Sequence, residues 1–449
     1  MVGSSGCANI IPPEGGFRDS LPPLLLKANP PDSTRNFSES TISFSFDEYV
    51  QIDNFQQNVI VSPVPKNQPT ATYRLHTISI RLKDTLEANT TYSINFGNSI
   101  KDVNESNVMK NFTYVFSTGP SIDSLSFRGN VLLAETGKPD STLIVMLHTR
   151  AEDSAVVKER PRYMAKLDSK GNFVFQNLPP DTFYVYALKD DARSLRYFGK
   201  QLFAFADSPV VVQQNTPSKI LYAYEAVKAS QTTSASGARS AADKRLKFQT
   251  TIKNNKIHDL LQKFSFRFEI PLRNFDSSKI RFVADTLYTP VTGYTWSIDT
   301  SKKKVTLNYS WQENTLYHFI LEKDFATDTL GQQLLRSDTL SFTTMKSSDY
   351  GQLSIRFRNL DLSKNPVLQF VQANAVVNSF PLTGETFSQT LFLPGEYELR
   401  ILNDANKNGI WDPGDFFGKH KQPEIVKPIE RRITIKGNWE NEFEIPLTN

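Results

Sequence analysis

Residues 393–419, LPGEYELRILNDANKNGIWDPGDFFGK, set the plan of this chain because residues 178–200, LPPDTFYVYALKDDARSLRYFGK, are a shorter copy of them. In both copies a proline-containing turn leads into an alternating strand, an aspartate follows, and an aromatic pair precedes Gly-Lys. The matched residues are Phe183, Val185 and Ala187 against Tyr397, Leu399 and Ile401; Asp190 against Asp404; and Tyr197-Phe198-Gly199-Lys200 against Phe416-Phe417-Gly418-Lys419. Agreement over this length predicts a fold built from a duplicated unit.

The second copy contains a calcium-type loop that the first copy lacks. Such a loop places oxygen ligands at positions 1, 3, 5, 9 and 12, a glycine at position 6 and a ligating carbonyl at position 7. Positions 1, 3, 5, 6, 7, 9 and 12 are here Asp404, Asn406, Asn408, Gly409, Ile410, Asp412 and Asp415. This spacing predicts a Ca²⁺ site to which Ile410 contributes its backbone carbonyl. Position 12 is Asp rather than Glu and no helices flank the loop, so a polar Asx-rich turn is the alternative.

Composition indicates an all-β protein with several domains. The chain has 449 residues, among them 32 Phe, 16 Tyr, 25 Pro and 20 Gly. Strand-forming residues dominate, and long helical periodicity is nearly absent. This length suits about three or four domains, which we predict to be tandem β-sandwich modules. The formal net charge of +4 comes without a basic run, which gives no reason to expect a nucleic-acid partner.

A single cysteine, Cys7, excludes an internal disulfide bond. The stretch Ser4-Ser5-Gly6-Cys7 resembles the bacterial lipobox, in which the cysteine becomes the lipidated first residue of the mature protein. Only six residues precede Cys7, so the charged and apolar parts of a signal peptide are missing from the sequence. The resemblance implies a lipid anchor at Cys7, and the alternative is a chance surface cysteine. No run of about 18 apolar residues occurs, so no membrane-spanning helix is predicted.

Two segments of the chain resemble the S-layer-type bacterial Ig-like domain, a small Greek-key β-sandwich. The first segment carries Pro30-Pro31-Asp32-Ser33, Phe46-Asp47-Glu48, Asn89-Thr90-Thr91-Tyr92 and Phe116-Ser117-Thr118. The second carries Phe266-Arg267-Phe268-Glu269, Asn314-Thr315-Leu316-Tyr317 and Phe342-Thr343-Thr344 in the same order. The second segment has no Pro-Pro-Asp-Ser equivalent, so its start is the less defined boundary. The resemblance implies that both segments fold as Ig-like sandwiches.

Each Ig-like segment is followed by a second kind of module. The first of these contains Phe127-Arg128-Gly129-Asn130-Val131 and the hairpin sequence Asp168-Ser169-Lys170-Gly171-Asn172-Phe173, and the second ends in Glu442-Phe443-Glu444-Ile445. Both segments resemble the transthyretin-like β-sandwich that stands beside carboxypeptidases as a regulatory domain, and the calcium-loop-bearing B repeats of surface adhesins. The resemblance implies a non-catalytic β-sandwich in each case.

The predicted organisation is a tether, four modules numbered in chain order, and one linker. Pro- and Gly-rich sequence indicates the tether, and a Ser/Ala/Thr-rich stretch with little apolar bulk indicates the linker. The predicted bounds are 1–23 for the lipobox-like cysteine and flexible tether, 24–119 for Ig-like module 1, 120–215 for transthyretin-like module 2, 216–245 for the linker, 246–346 for Ig-like module 3, and 347–449 for transthyretin-like module 4 with the calcium-type loop.

Familiar catalytic motifs are missing from the sequence, and we predict a protein that is not an enzyme. The five histidines, His76, His148, His258, His318 and His420, lack metal-binding spacing. Cys7 has no local base, and there is no GxSxG, phosphate loop or dinucleotide fingerprint. Acidic pairs such as Asp47-Glu48 and Asp190-Asp191 are interpreted as solvated turn residues rather than glycosidase carboxylates.

Over nearly its whole length the chain resembles the Bacteroidetes Ig-like-domain lipoproteins, which begin in the manner of Cys7-Ala8-Asn9-Ile10, Gly15-Gly16, Asp19 and Pro22-Pro23. The resemblance implies a lipid-anchored outer-membrane protein that serves as a multi-domain binding or scaffold protein. Its partner would be an outer-membrane β-barrel or another envelope protein. The alternatives are a surface adhesin and a glycan-binding accessory of a polysaccharide-utilisation system.

A recurring Asp-Ser/Thr pattern resembles the O-glycosylation acceptor of exported Bacteroidetes proteins. It begins at Asp19, Asp84, Asp123, Asp140, Asp153, Asp285, Asp328 and Asp338. Asp-Thr-Leu is also common at strand starts in β-rich chains, so ordinary strand chemistry explains the pattern equally well. The pattern supports an exported location only together with Cys7.

Overall fold

The computed structural model describes residues 19–226, 245–252 and 256–447. Cys7 and most of the predicted linker lie outside the described residues. Nearly all of the regular secondary structure in the described residues is β-strand, which confirms the all-β prediction. Within these residues the α-helices are three single turns of four residues each, and none is long and apolar enough to cross a membrane.

Two compact units make up the chain. Among the described residues, unit 1 comprises 19–226 and 402–428, and unit 2 comprises 245–252, 256–401 and 429–447. Unit 1 therefore contains modules 1 and 2 together with the calcium-type loop. The sequence analysis placed that loop in module 4, whereas the structure places it in unit 1. The packing described below explains this difference.

Module 1 is a sandwich of phenylalanine-rich strands. Its elements are β1 (Leu25–Asn29), β2 (Thr41–Phe46), β3 (Val50–Ile52), α1 (Phe55–Asn58), β4 (Ile60–Ser62), β5 (Thr70–Arg74), β6 (Thr77–Arg81), β7 (Thr91–Gly97), β8 (Ile100–Asp102), β9 (Val108–Met109) and β10 (Phe112–Ser117). The sheets run β1-β2-β6-β5, β10-β7-β4 and β3-β8-β9. Phe44 of β2 meets Phe96 of β7 edge to face, with ring centroids 5.4 Å apart. Alternating side chains thus fill one core between the sheets β1-β2-β6-β5 and β10-β7-β4.

Module 2 follows as a second sandwich. Its elements are β11 (Leu125–Leu133), β12 (Leu143–His148), α2 (Ala155–Lys158), β13 (Tyr163–Lys166), β14 (Asn172–Leu178), β15 (Thr182–Lys189), β16 (Phe203–Phe205), β17 (Val210–Val211) and β18 (Lys219–Ala223). One sheet runs β14-β11-β18 and the other β13-β12-β15-β16, with β17 beside β15. The predicted alternation is confirmed, because Phe183, Val185 and Ala187 of β15 all lie in the core.

Strand β18 begins inside the segment predicted as linker. It pairs in parallel with β11, and Leu221 and Ala223 are buried in the core of module 2. The prediction of a linker from residue 216 is therefore wrong for these residues, because a short Lys-Ile-Leu-Tyr-Ala strand closes the three-stranded sheet of module 2. Residues 227–244 of the predicted linker lie outside the described chain.

Module 3, in unit 2, repeats the aromatic core of module 1. Its strands are β19 (Phe248–Thr250), β20 (Ile257–His258), β21 (Ser265–Phe268), β22 (Leu272–Phe275), β23 (Ile280–Ala284), β24 (Thr289–Pro290), β25 (Thr295–Ile298), β26 (Lys304–Asn308), β27 (Leu316–Leu321), β28 (Ala326–Asp328) and β29 (Asp338–Thr344), with a 3-10 turn at Ser277–Lys279. The sheets run β19-β21-β26-β25, β20-β29-β27-β23-β24 and β22-β28. Phe264 and Phe319 pack across the two larger sheets with centroids 4.5 Å apart.

Modules 1 and 3 share one local hydrogen-bonding arrangement at the start of a central strand. Asn89 and Asn314 both adopt a left-handed backbone, which asparagine tolerates better than most residues. The next amide donates to a threonine hydroxyl in each module, from Thr90 to Thr118 at 3.0 Å and from Thr315 to Thr344 at 2.9 Å. The shared Asn-Thr sequence therefore marks structurally equivalent positions.

Module 4 has the same strand order as module 2. Its elements are β30 (Gly351–Arg358), β31 (Pro366–Gln372), β32 (Ala375–Pro381), β33 (Thr386–Phe392), β34 (Gly395–Asn403), α3 (Phe416–Lys419), β35 (Ile425–Ile435) and β36 (Glu440–Pro446), with 3-10 turns at Ser347–Asp349 and Leu362–Lys364. The sheets run β33-β30-β36 and β32-β31-β34-β35, and β36 pairs in parallel with β30 as β18 does with β11. The duplication predicted from sequence is thus present in the topology.

Candidate functional site

The calcium-type loop, residues 404–415, is organised by its first aspartate. The Asp404 side chain is 2% exposed and accepts hydrogen bonds from the backbone amides of Asn408 at 3.2 Å and Gly409 at 2.6 Å. Gly409 has a φ of 76°, which a side chain would disfavour. One buried carboxylate therefore folds the loop back on itself.

Four of the predicted ligand residues converge inside the loop. The side-chain amides of Asn406 and Asn408 both donate to one carboxylate oxygen of Asp412, at 2.5 and 2.9 Å. Their carbonyl oxygens accept from the backbone amides of Asn408 and Ile410. Positions 1, 3, 5 and 9 are thus linked into a single hydrogen-bonded network.

Glu424 completes this network, and the sequence pattern did not identify it. Its buried carboxylate accepts from the backbone amides of Ala405 at 2.8 Å and Asp412 at 3.0 Å, so it joins the two ends of the loop. The Trp411 indole donates to the Glu424 backbone carbonyl at 2.7 Å. Glu424 lies outside the twelve-residue spacing, and only the return of the chain after α3 brings it to the loop.

The last predicted ligand, Asp415, has a structural role in this conformation. It is the N-cap of α3, and its carboxylate accepts from the Gly418 amide at 3.0 Å. Its backbone pairs with that of Lys421 in both directions, at 2.8 and 2.9 Å. The Ile410 side chain is 68% exposed and has no ligating atom, so the ligand that the spacing predicted at this position is its backbone carbonyl.

The donor set of the loop suits a hard divalent cation. Carboxylate and amide oxygens are the ligands that Ca²⁺ prefers, and Asp404, Asn406, Asn408 and Asp412 supply them from neighbouring positions. The amide donors now directed at Asp412 compensate its charge in the way a cation would. To present its side-chain oxygen in place of the amide donor, each asparagine would have to rotate and give up the hydrogen bond that this oxygen now accepts from a backbone amide. Across the described chain, no three His, Cys, Asp or Glu side chains gather as a metal cluster, so this site depends on its two asparagines.

The matching loop of the first copy shows what the aspartate does without these asparagines. Asp190 accepts from the backbone amides of Ser194 at 2.9 Å and Leu195 at 2.7 Å, at the same offsets as Asp404. Ala192 stands where Asn406 stands in the second copy. Turn formation therefore needs only the first aspartate, and the additional oxygen side chains are specific to the second copy.

Aromatic packing holds the calcium-type loop in unit 1. Phe416 is 5% exposed, and its ring centroid lies 5.6 Å from that of Tyr186, 5.2 Å from Phe203 and 4.9 Å from Phe205. Trp411 packs against the same cluster. These rings cover the outer face of β15 and β16, which explains why the loop is part of unit 1 although its flanking strands continue into unit 2.

The two matching aromatic pairs meet in this cluster. Tyr197 of the first copy stacks on Phe417 of the second, with centroids 5.8 Å apart and planes at 17°. The backbone amide of Val426 donates to the carbonyl of Ala134 at 2.9 Å, and the Gln422 side chain donates to the Phe205 carbonyl. The shared sequence feature is therefore a contact between the two copies.

A cavity of about 160 Å³ lies beside this contact in unit 1. His420 and Asp153 form an ion pair at its edge, at 2.8 Å, if the imidazole is protonated. Burial and the nearby Asp153 raise the pKa of the Tyr186 hydroxyl to about 12. The tyrosine therefore stays neutral at physiological pH.

A larger cavity of about 520 Å³ lies in unit 2, at loops after β20 and β26. Tyr309 and Trp311 contribute aromatic surface, and Lys263 and Glu313 contribute charge. The Trp311 indole donates to the Gln262 carbonyl at 3.2 Å. The Ser347 amide donates to the Glu313 carboxylate, and hydrogen bonding from the Ser347 side chain and this amide lowers the pKa of the Glu313 carboxyl.

The comparisons with known proteins identify the first module. Residues 19–118 match the family model described as bacterial Ig-like domain, which confirms the Ig-like prediction for module 1. No curated protein matches the sequence.

Among solved structures, the chain is similar to the Bacillus anthracis TIE protein, at 11% identity over 97% of this chain and 76% of that chain, with a TM-score of 0.17. It is also similar to BcpA, the major pilin subunit of Bacillus cereus, at 8% identity over 72% and 99% of the two chains, with a TM-score of 0.18. A third likeness is to Escherichia coli alpha-2-macroglobulin spanning domains MG0-NIE-MG1, at 13% identity over 43% and 89%, with a TM-score of 0.21. Scores this low support no functional conclusion.

Proposed function

We propose that this protein is a non-enzymatic scaffold of the bacterial cell surface, anchored in the outer membrane by a lipid on Cys7. The observation that carries the proposal is a duplicated series of small β-sandwiches whose first member matches the bacterial Ig-like family. Such modules hold binding surfaces on rigid supports, and their chemistry lies in exposed loops and edges. The proposed partner is an outer-membrane β-barrel or another envelope protein.

Rigid junctions inside unit 1 support a scaffold role. Arg162 of module 2 forms two hydrogen bonds with the Glu87 carboxylate of module 1, at 2.7 and 2.6 Å. The Lys166 ammonium donates to the Gln57 carbonyl at 2.8 Å, and the Val64 amide donates to the Arg162 carbonyl at 2.8 Å. Each of these contacts restrains the angle between modules 1 and 2, as a spacer requires.

The chain offers one direct test of the anchor. The gene is expressed with its native upstream sequence, and the membrane fraction is analysed by intact-mass spectrometry. We expect the mass of an acylated cysteine, and we expect Cys7→Ser to release the protein from membranes. The Asp404→Ala variant, which keeps Cys7, is the control and should remain membrane-bound and acylated. A native chain without acylation, recovered outside the membrane fraction, would contradict the lipoprotein proposal.

The same preparation tests the proposed partner. One result is a β-barrel protein that co-purifies with the native chain in a fixed molar ratio and separates from it when detergent dissociates the complex. This result favours an accessory subunit of a membrane complex. A chain that is acylated but purifies alone favours the surface-adhesin alternative. The two results therefore separate the two forms of the scaffold proposal.

We also propose that Ca²⁺ binds the 404–415 loop and stiffens unit 1. Asp404, Asp412 and the side-chain oxygens of Asn406 and Asn408 would hold the ion, with the Ile410 carbonyl. A bound ion would supply a positive charge in place of the amide donors now directed at Asp412. Because only the folded loop gathers these oxygens, binding stabilises the folded state.

Calcium is expected to raise the melting temperature of the unmodified chain. Free Ca²⁺ at one hundred times its dissociation constant would add about 2.7 kcal/mol of stability. Asp404→Ala together with Asp412→Ala should abolish the difference in melting temperature between calcium and chelator, measured by calorimetry. The double variant also loses a turn-forming carboxylate, so this difference is the readout rather than the melting temperature itself.

The control is Asp191→Ala, which removes an exposed aspartate of the first copy and should keep the full difference in melting temperature between calcium and chelator. No calcium response in the unmodified chain would leave the loop as a polar turn.

A further inference from the structure

Strand β32 is an unusually open edge of module 4. It stands at the end of the sheet β32-β31-β34-β35, and in the described part of the chain no strand pairs with its outer side. Val376 and Val377 are 43% and 45% exposed, and Ala375, Ser379 and Pro381 are exposed as well. An exposed edge presents free backbone donors and acceptors to another strand.

The equivalent edge of module 2 is covered by another part of the chain. Strand β13 occupies the same end of the matching sheet, β13-β12-β15-β16. Its edge is covered by module 1, where the Val64 amide donates to the Arg162 carbonyl and the Gln57 carbonyl accepts from Lys166. In the first copy, then, a neighbouring Ig-like module of the same chain closes this edge.

The two edges also differ in charge. The stretch around β13 carries Arg160, Arg162 and Lys166, each of which donates to module 1. By contrast, the sequence has no charged residue between Lys364 and Glu385, a span that includes all of β31 and β32. Charged residues are one common protection of a sheet edge against pairing, and β32 has none. Two features still limit pairing along β32, a bulge opposite Phe370 and Val371 and the missing amide hydrogen of Pro381, and the regular register with β31 runs from Asn378 to Pro381.

We propose that β32 is the contact edge between two copies of this chain. A strand without charges meets its own copy without like-charge repulsion. Antiparallel pairing of identical edges also gives a two-fold symmetric contact that closes on itself. The uncharged edge favours a second copy over a partner recognised through charge. This inference goes beyond the scaffold proposal and does not depend on the lipid anchor.

The test uses the full chain carrying Cys7→Ser, so that lipid cannot cause association. Sedimentation equilibrium over a range of concentrations should show a monomer–dimer equilibrium. Val376→Lys together with Ser379→Lys places two exposed charges on the edge, and we expect the dissociation constant to rise at least tenfold. Thr286→Lys with Leu287→Lys adds the same charge to an exposed turn of module 3, where Leu287 is 85% exposed, and should leave the equilibrium unchanged.

A second pair of variants separates a blocked edge from a damaged fold. Val376→Glu with Ser379→Glu should also be monomeric alone, and an equimolar mixture with the lysine variant should dimerise because opposite charges then face each other. Restored association supports the β32 contact. The reference is the chain that carries only Cys7→Ser. The proposal is overturned if this reference chain is monomeric at every concentration, if the lysine variant dimerises as strongly as the reference chain, or if the mixture stays monomeric.

Discussion

Phe416→Ala is expected to lower the free energy of unfolding of unit 1 by about 3–5 kcal/mol, the usual cost of removing a buried phenylalanine ring. The ring is 5% exposed and contacts Tyr186, Phe203 and Phe205, which belong to the stable strands of module 2. Alanine would leave a cavity in this aromatic cluster. It would also release the segment that carries the calcium-type loop, because the aromatic contact attaches this segment to module 2.

The neighbouring residue supplies a matched control for this prediction. Phe417 has the same side chain but is 50% exposed, and its ring stacks on Tyr197 and meets Phe416 edge to face. Phe417→Ala should therefore cost about 1 kcal/mol. Urea unfolding followed by tryptophan fluorescence measures both variants, since Trp411 lies in the same cluster. Equal losses for the two variants would mean that Phe416 does not anchor the segment.

Acidification from pH 7 to pH 4 is expected to destabilise unit 1 by about 3 kcal/mol through His148. This side chain is 2% exposed, and its Nε2 atom has no hydrogen-bond partner among the described residues. Burial lowers its pKa to about 4, against the opposing effect of Glu159. In the unfolded chain the pKa returns to about 6.5. The unfolded state therefore binds the extra proton between these values, and stability is full above pH 6.5 and falls as the pH drops toward 4.

Replacing the imidazole tests this assignment. His148→Phe keeps a ring against Tyr186, which His148 now meets edge to face at 5.5 Å, and should remove about 3 kcal/mol from the pH dependence of unit 1 between pH 4 and 7. His420→Gln, at a 56% exposed histidine, should leave most of that slope in place. Thermal unfolding at half-unit pH intervals gives both slopes. An unchanged slope in His148→Phe would assign the acid sensitivity to other groups.

Strand positions and the duplication could be predicted because their signals are local. Alternation of apolar and polar residues determines which side of a strand can be buried, and β15 and β34 follow this rule in both copies. The first aspartate of each loop could also be matched from the sequence, and Asp190 and Asp404 make the same backbone contacts in the structure. Strand β18 was missed because five residues beside a polar stretch give a weak period.

By itself, the sequence determined the all-β class, the two pairs of modules and the residues that form the calcium-type loop. The tertiary structure alone decided that Phe416 packs in unit 1, that Glu424 closes the loop, and that β13 is covered while β32 is open. The physical reason is the distance along the chain over which each effect acts. Backbone preferences and periodicity act over a few neighbours, whereas burial of a ring, closure of the loop or covering of an edge depends on residues that lie far outside this range in the chain.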